Sequence, residues 1–318
     1  MTIQQFKSNA IKTLSETSPS AALDVSIFLQ HCLGRDKTWL LMNQNSELSD
    51  EELSWLKDAV EKRSTGLPVA YITGHKEFYG YNFAVSPDVL IPKPDTEILV
   101  EKAIDVIIEK MEARPEIVLS VCDMCTGSGC IGISVLKQLI EEYKIPSGSL
   151  PKFTMVDISP AALEIARKNA TRLLPPEEAE EIRFIQSNLF SEIDYTFDVI
   201  LTNPPYIPAA MVDELLTDGR SEPRLALDGD TYISTEETLK LETDGDFSAV
   251  QKSSDGLKII RSLWPECAAR LVHNGVVLME TGEYNAKKAA ELAEEQGFRC
   301  IKIIPDLEGQ DRDIYAVK

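Results

Sequence analysis

The chain has 318 residues, enough for two domains, and its 43% hydrophobic and 26% charged content is that of an ordinary globular protein. No apolar run approaches the roughly 18 residues that would cross a membrane. Lys and Arg total 32 against 52 Asp and Glu, a formal net charge of -20; this argues against a direct grip on nucleic acid, which neutralises phosphates with basic side chains, and favours a small molecule or a basic protein surface as partner.

The first residues, Met1 to Lys7, have neither the apolar core of a secretion signal nor an Arg-rich transit pattern, so a cytoplasmic location is the expectation. Residues 1–68 read as a small helical domain. Leu23, Ile27 and Phe28 form an apolar stripe stopped by Gly34. Ser49 and Glu52 form a capping box before Leu53, Leu56 and Val60. His31 reads as a packing or surface residue. Residues 69–92 bring aromatics, glycines and alternation, the pattern of a β-hairpin linker. Pro92 and Pro94 delay regular helix until Ile98, Leu99 and Ala103.

Residues 93–318 read as the catalytic domain, because from Val118 onward strands and helices alternate. Strands are expected at Val118 to Asp123, Phe153 to Asp157, Arg183 to Gln186, Phe197 to Thr202 and Gly275 to Glu280. Two more close the chain without a helix between them, which predicts an antiparallel edge on an otherwise parallel α/β sheet. Ligands of such sheets bind at the carboxyl ends of the strands. Thr231 to Ser254 is acidic and aperiodic and reads as an inserted surface loop. Cys122, Cys125 and Cys130 lack a second Cys/His pair at zinc spacing, so they read as small buried hydrophobes and no metal is expected.

Two segments carry chemistry. Asp123-Met124-Cys125-Thr126-Gly127-Ser128-Gly129 joins a strand to a helix, and its glycines allow a sharp turn close to a ligand. Asp157 ends the next strand, where a carboxylate can accept both ribose hydroxyls of a nucleoside cofactor; it can equally cap the helix opening at Pro160. Asn203-Pro204-Pro205-Tyr206 ends the fourth strand of this region. The Asn203 side-chain oxygen and the Pro204 carbonyl are two acceptors for the two hydrogens of one NH2 group, and Tyr206 offers a ring for a planar group to stack on.

With these segments the chain resembles the PrmC/HemK N5-glutamine methyltransferases of peptide-chain release factors. The resemblance covers nearly the whole chain. It rests further on Pro68 to Gly74, Glu77-Phe78, Leu90 to Glu97, Glu222-Pro223, Ala226-Leu227, Asp255-Gly256-Leu257, Glu280 and Asp311-Arg312. It implies a class I, Rossmann-like S-adenosylmethionine-dependent methyltransferase sheet behind the small helical domain, which would recognise the substrate. It further implies a release factor as protein partner, and a monomer. Cys125, Thr126, Gly127, Ser128 and Gly129 would line the methionine part of the cofactor, Asp157 would hold its ribose, and Asn188 and Leu189 would flank its adenine. Asn203, Pro204, Pro205 and Tyr206 would hold the glutamine amide, with Asn203 also beside the cofactor.

Departures from the family pattern are Cys125 at its first loop glycine, Lys93 and Asp95 for Arg and Glu, Asn188 for Asp, and Asn285 near a usual Gln. Three other readings stay open at this point. They are a ribosomal-protein glutamine, an amino group of a nucleic-acid base, and a non-catalytic scaffold with the same fold.

Overall fold

A computed structural model describes residues 1–217, 222–231 and 255–318; the expected insertion, Thr231 to Ser254, lies outside the described residues apart from Thr231. The chain clusters into two compact units, one of Met1–His75 with Glu214–Ser221, which takes in the end of the helix Ala209–Thr217, and the other of Lys76–Asp213 and Glu222–Lys318.

In the first unit the helices are α1 (Ile3–Leu14), α2 (Ala21–Leu33), α3 (Lys37–Met42), α4 (Asp50–Ser64) and α5 (Val69–Thr73). Complete capping boxes open α1 (Thr2 with Gln5) and α4 (Ser49 with Glu52), satisfying N–H groups that a helix start leaves unpaired. Gly34, at φ +61°, ends α2. That helix buries Ala21, Val25, Phe28 and Leu29, at positions i, i+4, i+7 and i+8, and leaves Leu23 61% exposed. Of the expected stripe of Leu23, Ile27 and Phe28, Phe28 is therefore on the buried face and Leu23 is off it. His31 stacks on Trp55 and on His75, each at 5.0 Å, as a packing residue does.

A second correction concerns Val69–Thr73, expected as the start of a hairpin and found as α5. Its β-branched residues suggest a strand, but Pro68 accepts from the N–H of Tyr71 and Ile72, and Gly74 closes the turn at φ +75°. Proline at a helix start and glycine at its end outweigh local strand propensity over five residues.

The second unit opens with a hairpin, β1 (His75–Phe78) and β2 (Tyr81–Ala84), which buries Phe78 and Phe83. A 3-10 turn at Pro94–Thr96 leads into α6 (Glu97–Ala113). There follow β3 (Ser120–Met124), α7 (Cys130–Glu141), β4 (Lys152–Asp157), α8 (Pro160–Leu173), α9 (Pro176–Glu181), β5 (Arg183–Gln186) and β6 (Phe197–Thr202). Then come α10 (Ala209–Thr217), α11 (Lys258–Arg270), β7 (Leu271–Glu280), α12 (Ala286–Glu295), β8 (Arg299–Pro305) and β9 (Asp311–Val317). The short helices α9 and α10 are additions to the expected pattern.

The main sheet has the order β5-β4-β3-β6-β7-β9-β8. All pairs from β5 to β7 are parallel, and β9 runs antiparallel to both neighbours. The antiparallel strand thus lies one place in from the edge, because β9 folds back from β8 into the place beside β7. Successive strand residues alternate between two cores: Val121, Leu201 and Leu278 face one, Cys122, Ile200 and Val277 the other. Cys130 belongs to the first core and Cys122 to the second, so the close-spaced cysteines divide between opposite faces as apolar filling. Among the described residues no three His, Cys, Asp or Glu side chains converge as metal ligands, and no helix is long and apolar enough to cross a membrane. The chain winds outward from β3 to β5 and returns to β6 on the other side of β3; that reversal opens a crevice at the strands' carboxyl ends.

Candidate active site

Strands β3, β4 and β6 deliver Cys125, Asp157 and Asn203 to one cavity of about 280 Å³. Its wall also holds Thr126, Gly127, Ser128, Asn188, Leu189 and Pro205, and the segment Pro87 to Leu90 covers it with Lys93 and Thr96. The volume is near the lower end for sites that enclose a small organic molecule. Of the expected site residues, Gly129, Pro204 and Tyr206 stand outside this wall.

The turn after β3 is left-handed at Cys125 (φ +60°), Gly127 (φ +53°) and Gly129 (φ +78°). Glycine adopts that conformation freely, whereas a cysteine there carries a strain of about 1–3 kcal/mol. Gly129 has a packing reason as well: a Cβ would lie 2.7 Å from Ile133 Cδ1 and 3.2 Å from Ala166 Cβ. Beneath the turn sits Asp123, fully buried, whose Oδ2 accepts from Thr126 Oγ1 at 2.7 Å and Gly132 N at 3.0 Å. Burial pushes its carboxyl up to about 6, against the pull of those two donors. Its Oδ1 has no hydrogen-bond partner among the described residues. Sequence reading gave Asp123 no role, although it heads the loop motif.

Asp157 braces the same turn. Its Oδ2 accepts from Gly127 N at 2.8 Å and its Oδ1 from Ser159 N at 2.9 Å, so acceptor capacity remains on both oxygens. Burial raises its pKa, opposed by the donors Ser159 and Gly127. The helix-capping alternative for Asp157 falls to Ser159, whose hydroxyl accepts from Ala162 N at 3.2 Å.

At the end of β6, Asn203 Nδ2 donates to Thr96 Oγ1 at 3.3 Å, and the Thr96 hydroxyl lies near enough to Glu280 to favour its charged form. That contact engages one hydrogen of the NH2 group; Asn203 lines the cavity, and its side-chain oxygen is an acceptor. The Tyr206 hydroxyl donates to Glu280 Oε1 at 3.1 Å, and its carbonyl accepts from Asn285 Nδ2 at 3.0 Å. Burial, then the Glu280 charge, push the phenol well above its ordinary range. Thr96 and Glu280 thus bond to Asn203 and Tyr206, and in the sequence they stand out only as marks of the resemblance.

The backbone of Pro205 and Tyr206 is gripped from above by two glycines. A Cβ on Gly229 would stand 2.0 Å from the Gly256 carbonyl oxygen and 2.8 Å from that of Pro205; one on Gly256 would stand 2.2 Å from that of Tyr206. Asp230 joins the two crossing segments, accepting from Gly256 N at 2.9 Å and Ala209 N at 3.2 Å. Other distant marks meet pairwise: Lys93 with Glu222 at 2.7 Å, Asp95 with Arg312 at 3.6 Å, and the Glu97 carboxylate with Tyr79 N at 2.9 Å.

Two family models match the chain, the PrmC N-terminal domain at residues 7–74 and the methyltransferase small domain at residues 98–258. A release factor glutamine methyltransferase of Koribacter versatilis is 33% identical over 100% of this chain and 99% of its own length. The chain belongs to the release factor glutamine methyltransferase family. Another member, from Leptospira interrogans, is 35% identical over 94% of this chain and 92% of its own, and one from Rhodopirellula baltica 34% over 95% and 90%. Within this methyltransferase family the Cys125 departure has a local cost, because its left-handed φ is the one a glycine would hold without strain.

Proposed function

We propose that the chain transfers a methyl group from S-adenosylmethionine to the side-chain amide nitrogen (N5) of the glutamine in the Gly-Gly-Gln motif of peptide-chain release factors. The observation that carries this reading is the placement of Asn203, which lines the cavity beside Asp157 and Cys125 and whose NH2 group is held by Thr96, an arrangement that suits its oxygen to accept from an amide. A glutamine amide offers two N–H donors to match it and the Pro204 carbonyl. Its nitrogen lone pair is delocalised into the carbonyl, so the amide has to be held in one orientation for reaction. Asn203 and Pro204 supply that orientation, and the methylated amide, a far stronger acid than the neutral one, gives its proton to water without a side-chain base.

The cavity's lining fits the cofactor: Asp157, which stands in its wall, retains acceptor capacity on both oxygens for two ribose hydroxyls. Thr126 to Gly129 would follow its methionine part, and Asn188 and Leu189 its adenine. When bound, S-adenosylmethionine supplies the electrophilic methyl group. Asp157→Ala is expected to weaken its binding about a hundredfold by calorimetry, because charge-assisted hydrogen bonds contribute roughly 1.5–3 kcal/mol each. Unchanged affinity would remove the ribose assignment.

The direct test is mass spectrometry of release factors incubated with the protein and S-adenosylmethionine. One added methyl on the Gly-Gly-Gln glutamine is the expected product. Methylation found instead on nucleic acid or ribosomal protein in parallel incubations would replace the substrate named here.

A further inference from the structure

Behind the acceptor motif lies a pair of carboxyls that methyl transfer does not itself require. Glu280 ends β7, and Asp313 stands directly opposite it on β9. Opposed residues of an antiparallel pair project to the same side of the sheet, with Cβ atoms about 4.5–5.5 Å apart. Both are buried, Glu280 at 1% and Asp313 at 0% exposure. Of their four oxygens only Glu280 Oε1 has a partner, the Tyr206 hydroxyl; Glu280 Oε2 and both oxygens of Asp313 have none among the described residues.

Two negative charges cannot both be held so close together in a buried place. The surroundings decide which group keeps the proton. Glu280 receives a hydrogen bond from Tyr206 and has the Thr96 hydroxyl near it, both of which favour its ionised form, whereas Asp313 receives none among the described residues. The other charged groups facing the pair are Arg312, Asp306 and Asp95. Arg312 is already engaged by Asp306 at 3.0 Å and Asp95 at 3.6 Å, so its charge is shared among several carboxylates. Burial, with Glu280 next, pushes the Asp313 carboxyl up to about 8.

The geometry points to a proton shared between Asp313 and Glu280 that positions Asn203 and Tyr206 for the reaction. A protonated Asp313 is a donor, and Glu280 Oε2 opposite it is an acceptor otherwise unused. Glu280 then keeps one negative charge, which holds Tyr206 directly and Asn203 through Thr96. The sign with pH follows. Because the folded-state pKa of Asp313 is raised, its contribution is intact below the ordinary carboxylate range and is lost as pH rises through about 8. A second buried charge then repels Glu280 and loosens both acceptor residues.

The kinetic consequence rests on the methyl-transfer reading; the proton itself is a property of the protein alone. Infrared difference spectra of the whole cofactor-free chain, titrated from about pH 6 to about pH 10, test the latter. A carboxylic-acid carbonyl band is expected at neutral pH. Its component with a midpoint near 8, distinct from the Asp123 component near 6, should be missing in Asp313→Asn and titrate at lower pH in Glu280→Gln, where the like charge is gone. In turnover, Asp313→Ala should lower kcat about tenfold at neutral pH through the orphaned Glu280 oxygen, with KM little changed. Asp313→Asn, which restores a donor, should recover that loss and abolish the alkaline fall in kcat. The inference is overturned by a wild type without the component near 8, by that component surviving in Asp313→Asn, or by an alkaline limb identical in that variant. Should Asp313→Asn fail to fold, wild type and Glu280→Gln decide alone. A band with the expected titration but no methyl transfer by any protein supports the shared proton and unseats the reaction.

Discussion

Asn203→Ala is expected to lower kcat for glutamine methylation by at least 10²- to 10³-fold, the scale for removing one pre-set hydrogen-bonding group from a reacting centre. Affinity for S-adenosylmethionine should stay within about threefold, since the Asp157 carboxylate and the β3 turn are untouched. The asymmetry follows from what Asn203 does. Its Nδ2 is committed to Thr96, which leaves the oxygen as the group that can meet an incoming amide N–H. Alanine removes that acceptor and also leaves Thr96 without the donor it receives. Asn203→Asp keeps an acceptor but brings a charge toward Glu280, so it should lie between wild type and alanine. Single-turnover rates alongside calorimetry separate the two effects. Turnover of the alanine variant within threefold of wild type would remove Asn203 from the reaction.

The architecture was largely legible because its signals are local. Apolar runs of strand length alternate with helical stripes, and β5 and β6 have the bounds that their residues suggest. Local reading failed where two local rules compete, as at Val69–Thr73, or where a helix face is decided by its neighbours, as at Leu23. The site was legible along its three strand ends, since the motif residues there sit within a few positions of one another. Its supports were not. Thr96 and Asn203 meet across 107 residues, and Tyr206 and Glu280 across 74. Nothing in one sequence marks such a meeting, nor that Asp313 faces Glu280, which depends on β9 being inserted beside β7.

Gly256→Ala should be as damaging as a change at the reacting residues, although Gly256 bonds to nothing in the substrate path. Two penalties coincide there. Its φ of +71° is one an L-residue adopts only with strain, and the new Cβ would lie 2.2 Å from the Tyr206 carbonyl oxygen, a backbone atom that cannot swing aside. Left-handed strain and overpacking each cost roughly 1–3 kcal/mol, so a loss of about 3 kcal/mol or more is expected. Relief requires the Pro205–Tyr206 backbone to move, which also displaces the Pro204 and Asn203 acceptors, so kcat should fall with stability. Gly297→Ala isolates the first penalty, since Gly297 has φ +83° with nothing within 4 Å of its Cβ. It should lose about 1 kcal/mol by urea midpoint and keep its turnover. If Gly256→Ala matched Gly297→Ala in both midpoint and turnover, the two crossing glycines would not be what holds the acceptor motif in place.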